Sequence, residues 1–203
     1  MTDTTAQGQP RTGGSVAIVG ARVIPVSGEP IDRGVVVVQD GVIVAVGGPD
    51  TPVPEGAARV DGAGRRLLPG FIDAHTHIGT LEQGEGWAGD DHDESTAAVT
   101  AQLRAIDAVN PADAAFPDAV AGGVLAVGVN PGSCNPIGGQ SVALRTVGRT
   151  VDEMVLRSPA GMKSALGENP KKCYGDKGQY PMTRMGTAAV IRQALTQAVA
   201  DLA

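Results

Sequence analysis

Hydrophobic and polar positions along the chain follow two regimes. From 15 to 66 the apolar residues come in short β-branched runs broken by glycine, proline and aspartate. "SVAIVGARVIPV" (15–26) alternates loosely and predicts a strand. "GVVVVQDGVIVAVG" (34–47) predicts a hairpin turning at Asp40-Gly41, because glycine tolerates positive φ. "GPDTPVPEGA" (48–57) predicts a proline-rich loop, and "ARVDGAGRR" (58–66) a short strand and turn. Residues 15–66 therefore predict a small all-β unit. The polar start, 1–14, lacks the apolar middle of a signal peptide and predicts a disordered tail.

From 67 onward the pattern changes. "LLPGFIDAHTHIG" (67–79) is apolar on both faces, as a buried parallel strand requires. "DDHDESTAAVTAQLRAIDAVNP" (90–111) predicts a helix capped by Ser95 or Thr96 and stopped at Asn110-Pro111, with Val99, Leu103 and Ile106 on one face. "PDAVAGG" (117–123) predicts a short helix, and "VLAVGVNPG" (124–132) a second buried strand leading into a glycine-rich loop. "SVALRTVG" (141–148) and "MVLRSPAGMKSALG" (154–167) are strand-like. Residues 183–203 predict a helix with Val190, Ile191, Leu195, Val199 and Leu202 as its apolar stripe. Strand and helix alternate, which argues for an α/β domain over 67–203.

Composition narrows the function classes. Aromatics make up only 2% of the 203 residues, so Val, Ile, Leu and Ala must build the core. The formal charge of −6 disfavours nucleic acid and anionic membranes as partners. No apolar run is long enough to span a bilayer. The two cysteines, Cys134 and Cys173, have no Cys-x-x-Cys spacing. A disulfide is not expected, and a reducing cytoplasm is the simplest reading.

The chemistry concentrates at the end of the buried strand predicted over 67–79. Side chains i and i+2 of a strand point the same way, so His75 and His77 face one side, with Asp73 in the same parity. Two neutral imidazoles there can share one divalent metal. His-x-His by itself is a weak signal, since strands carry such pairs by chance.

The flanking residues sharpen it. "LLPGFIDAHTHIG", after a β module ending "VDGAGRRLLPG", resembles the amidohydrolase superfamily, in particular its imidazolonepropionase-related branch. "AGGVLAVGVNPGSCNPIGGQS" and "GMKSALGENPKKCYGDKGQYPMTRMGTAAVIRQAL" extend the resemblance over roughly 16–203. It implies a (β/α)8 TIM-type barrel beside a small β-sandwich, with the active site at the C-terminal strand ends. It also implies a metal-dependent hydrolysis of non-peptide C–N bonds, of the cyclic-amide type, in a small-molecule substrate. The metal, one or two ions and zinc by preference, activates water. His75 and His77 match the first metal ligands, and either Lys163 or Glu168 could be a bridging ligand. Asn135 and Gln140, in the loop 130–141, are candidate substrate contacts. Cys134 is read as a small residue rather than a nucleophile.

The chain also departs from that pattern. His92, the only other histidine, lies in "DDHDE" (90–94) and is read as part of a solvated acidic loop. The later histidine ligands and the catalytic aspartate of strand 8 have no match. Too few residues follow 67 for a complete barrel of roughly 250. The expected fold is thus α/β, a partial barrel preceded by a β-sandwich part. Such a half should be unstable alone or self-associate, because it leaves a strand edge and an apolar face open. The alternative function is a catalytically inactive remnant or interaction module.

Overall fold

The computed structural model describes residues 14–202. The disordered tail expected for 1–14 lies almost wholly outside the described residues. Two compact units are present, divided between Gly70 and Phe71.

The first unit is one five-stranded sheet. Its strands are β1 (Val16–Val23), β2 (Ile31–Gln39), β3 (Val42–Gly47), β4 (Ala58–Asp61) and β5 (Arg66–Leu67). The order is β3-β2-β1-β4, with β5 also on β1. β2 and β3 pair antiparallel from Gln39↔Val42 outward. Asp40 and Gly41 both take positive φ, 50° and 79°, the pattern of a two-residue hairpin turn whose twist matches the strands. Ala17, Val35 and Val37 are buried together with Val19, Ala45 and Val53 against them. The unit is a single sheet, so the two packed layers of a sandwich are not seen within it.

The second unit holds β6 (Phe71–Thr76), α1 (Ala115–Ala121), β7 (Val124–Val129), β8 (Ile137–Arg145), α2 (Val151–Met154), β9 (Val155–Ser164), α3 (Glu168–Gly175) and α4 (Arg184–Asp201). The sheet order is β6-β7-β8-β9. β6 and β7 are parallel and joined through α1, which makes one β/α unit. β7–β8 and β8–β9 are antiparallel. The expected strand–helix alternation of a barrel is therefore present once and then gives way to a meander. The chain is a mixed α/β protein with two sheets.

Alternation on the central strands builds the core. Val127 and Val129 of β7 oppose Leu144 and Val142 of β8, and all four are buried. Ile78, Val109, Phe116 and Met154 cover that face. β9 and β6 lie at the sheet edges and are mostly exposed. β6 was expected to be buried on both faces, yet Phe71 is 56% and Ile72 76% exposed. The reason is topological: β6 pairs on one side only, with β7.

The helix expected over 95–109 does not form. Only Ala105–Asp107 makes a short 3₁₀ turn. The segment instead runs along β8, bridging Val99 to Ile137 and Arg104 to Gln140. The amide of Thr100 donates to the carbonyl of Ile137 at 2.9 Å, and its hydroxyl donates to the same carbonyl at 3.1 Å. Extended pairing to a buried strand thus outweighs a modest helical pattern. α4 forms as expected, with the Thr183 hydroxyl accepting from the Gly186 amide at 3.0 Å as its N-cap. Its stripe is only partly used: Val190 is buried, whereas Leu195 and Val199 are 60% and 69% exposed.

The turn after His77 is tightly specified. Gly79 has φ +76°, and a Cβ there would meet Val109 and Phe116 at 3.0 and 3.1 Å. Its amide donates to Asp113 Oδ2 at 2.9 Å. Asp113 Oδ1 accepts from the amides of Gln83 and Ala115, both at 3.0 Å. Asp113 is buried and leaves three donors unpaired if removed. Asp113→Ala is expected to lower stability by about 3 kcal/mol, read as a shift of the urea midpoint; a midpoint within error of wild type would refute this role.

Candidate metal centre

The parallel pairing of β6 and β7 sets the site. Thr76 pairs with Val129, so His77 and Asn130 emerge side by side at the C-terminal ends of adjacent strands. His77 Nδ1 lies 2.8 Å from the carbonyl of Asn130. A carbonyl only accepts, so Nδ1 carries the proton and Nε2 keeps its lone pair. Burial pushes the His77 imidazole below its ordinary value, with His92 and Lys163 adding to the fall and the Asn130 bond opposing it. Asn130 is itself held by a hydrogen bond from the Ser141 hydroxyl to its Oδ1, at 2.6 Å.

The His75 and His77 rings lie edge to face with centroids 5.5 Å apart. β9 then brings in a third nitrogen. Lys163 Nζ stands 3.3 Å from His75 Nε2. Burial pushes the Lys163 amine down, against the pull of Asp93. Of the two candidate bridging residues, the structure joins Lys163 to the histidine pair. Glu168 heads α3 and is exposed.

His92 is the residue that the acidic-loop reading underrates. Its ring lies 5.2 Å from that of His77. Nδ1 faces an Asp90 carboxylate oxygen, and Nε2 lies 3.2 Å from Asp93 Oδ2. Both nitrogens are thus engaged and neither is left for a metal. Asp93 also accepts from the Cys134 amide at 3.0 Å. A cavity of about 200 Å³ is lined by His77, His92, Asp93, Cys134, Lys172 and Cys173 among others.

Asn135 and Gln140 sit elsewhere. Asn135 is 1% exposed. Its amide group donates to Glu94 O at 2.7 Å and to Thr100 Oγ1 at 2.8 Å, and its Oδ1 accepts from the Tyr174 hydroxyl at 2.6 Å. It organises the loop and has no polar atom turned outward to a substrate. Gln140 lies on β8 and donates from Nε2 to Ala101 O at 3.4 Å. Burial also pushes the Tyr174 phenol up. Tyr174→Phe would leave Asn135 Oδ1 buried without a donor. A loss of about 1–3 kcal/mol is expected in chemical denaturation, and an unchanged unfolding curve would show the bond to be dispensable.

The cysteines require a correction. Cys134 and Cys173 form a disulfide, with Cα atoms 5.6 Å apart. The residues are 39 apart in the chain, so no local spacing signals the pair. It forms because α3 folds back onto the loop 130–136.

Among the described residues no three His, Cys, Asp or Glu side chains are grouped to hold a metal ion. The donor chemistry at the strand end nonetheless fits a divalent metal in part. His77 offers a bare Nε2, and Lys163, a desolvated amine, lies beside His75 Nε2. No helix among the described residues is long and apolar enough to cross a membrane.

Comparison with known proteins finds similarity to hydrolases. An amidohydrolase from Thermotoga maritima MSB8 superposes with a TM-score of 0.87 at 42% identity, over 92% of this chain and 48% of that one. Amidohydrolase tasK of Hapsidospora irregularis is 34% identical over 81% of this chain and 18% of its own length. A dihydroorotase of Mycobacterium tuberculosis is 40% identical over 47% of this chain and 20% of its own. No protein-family model matches. Over most of its length the chain is thus similar to proteins named as amidohydrolases. It spans about half the length of the Thermotoga protein, and about a fifth of each curated relative.

Proposed function

We propose that this chain is part of a metal-dependent hydrolase of non-peptide C–N bonds in small molecules, of the cyclic-amide type. The observation that carries the reading is the strand-end cluster of His75, His77 and Lys163, with His77 locked in one tautomer by Asn130. In this reading β6, α1 and β7 are the first β/α unit of a (β/α)8 barrel. Its likeness to amidohydrolases named as such supports the reaction class.

His75 and His77 would hold the metal through Nε2, with Lys163 as the candidate bridging position. A bound divalent ion, zinc by preference, would supply Lewis-acid activation of water and of the scissile carbonyl. The residues of the chain prepare that site. Asn130 orients the His77 ring and, in the neutral imidazole, places the proton on Nδ1. Desolvation holds His77 neutral near pH 7, so no proton need leave before it ligates. Asp90 and Asp93 clamp His92 at the cavity wall.

The test is metal uptake by the purified chain in equilibrium dialysis against zinc, beside a His75→Ala/His77→Ala double variant. Bound zinc in the wild type that disappears in the double variant is expected. Equal uptake by both proteins would discard the reading in favour of an inactive remnant.

A further inference from the structure

The disulfide stands at the cavity rather than in a remote part of the fold. Cys134 and Cys173 both line the space that His77 and His92 also line. Two adjacent ties join the same two segments. Cys134 binds Cys173, and the next residue in each segment, Asn135 and Tyr174, shares the 2.6 Å hydrogen bond. Cutting the covalent tie therefore leaves α3 hinged on a buried hydrogen bond instead of releasing it. Cys134 is 5% exposed, whereas Cys173 is half-buried.

We propose that Cys134–Cys173 is a reversible thiol–disulfide exchange site that sets how open the His77 cavity is. Its reaction partner is a dithiol. A thiolate of the dithiol attacks Sγ of Cys173, the accessible sulfur, and the S–S bond breaks with Cys134 leaving as thiolate. The second thiol of the partner then attacks the mixed disulfide and releases Cys173. The dithiol ends as a disulfide, two electrons have passed to the protein, and both cysteines finish as thiols after proton uptake. α3 then swings more freely, and the part of the cavity wall that α3 forms opens.

The experiment uses the full chain purified without reductant. Free thiols are counted by alkylation and mass spectrometry before and after dithiothreitol without denaturant. Acylation rates of the individual histidines are followed by peptide mapping. No alkylated cysteine is expected before reduction and two after, with a fall in Tm of roughly 5–10 °C. Reduction should raise the acylation rate of His77 by about tenfold through local opening, while exposed His75, outside the cavity lining, keeps its rate. Cys134→Ser/Cys173→Ser should reproduce the reduced rates and ignore dithiothreitol. Two free thiols at the outset would overturn the proposal. So would a bond that resists the dithiol in the folded chain, an unchanged His77 rate, or His75 and His77 rates rising together. If the double variant does not fold, the wild-type comparison decides alone.

Discussion

His77→Ala lowers the zinc affinity of the chain by more than about 100-fold, whereas His92→Ala changes it far less. Removing an outer partner of a metal-bound histidine commonly costs about 10–100-fold, so loss of the ligand itself should exceed that range. The contrast follows from the hydrogen bonds. His77 Nδ1 is committed to the Asn130 carbonyl, which leaves Nε2 for the metal. His92 has each nitrogen against a carboxylate. Titration with zinc, monitored by competition with a chromophoric chelator, measures both constants. A His92→Ala loss as large as that of His77→Ala would show that the carboxylate clamp opens and that His92 is itself a ligand.

Leu144→Ala destabilises the chain by about 2–5 kcal/mol. Leu144 is fully buried on β8, opposite Val127, in the cluster with Phe116 and Met154. Its neighbours come from β7, β8, α1 and α2, so the cavity left behind has walls that cannot easily collapse. Near Tm the loss should appear as a fall of roughly 10 °C for a chain of this size. Leu156→Ala is the control, since Leu156 is 39% exposed on edge strand β9 and its truncation should cost under about 1 kcal/mol. Differential scanning calorimetry of the two variants decides. Equal shifts would mean that the buried cluster is not the main source of stability.

Local patterns were readable where the interaction is local. The Asp40-Gly41 hairpin is one case, because the turn residues and the flanking β-branched strands specify the same register. The Thr183 cap and α4 are another. The same reasoning failed over 95–109, where a helical apolar pattern lost to pairing with β8. The partners of Asn135, read from the sequence as a candidate substrate contact, were likewise not legible. Asn135 satisfies Glu94, Thr100 and Tyr174, and those partners are up to 41 residues away.

The placement of His75 and His77 at one strand end follows from the sequence alone, since parity along a strand needs no partner. So do the mixed α/β character and the two-part organisation, because apolar periodicity reports burial directly. What surrounds the pair was decided only by the tertiary structure. Asn130 reaches His77 because β6 and β7 are parallel neighbours, and Lys163 reaches His75 across 88 residues because β9, at the other edge, finishes at the same end of the sheet. The Cys134–Cys173 bond and the hydrogen bond from the Cys134 amide to Asp93 belong with these. The physical reason is that strand order and register are collective properties of the sheet. No run of residues encodes which strand becomes its neighbour, and the chemistry of the site depends on that choice.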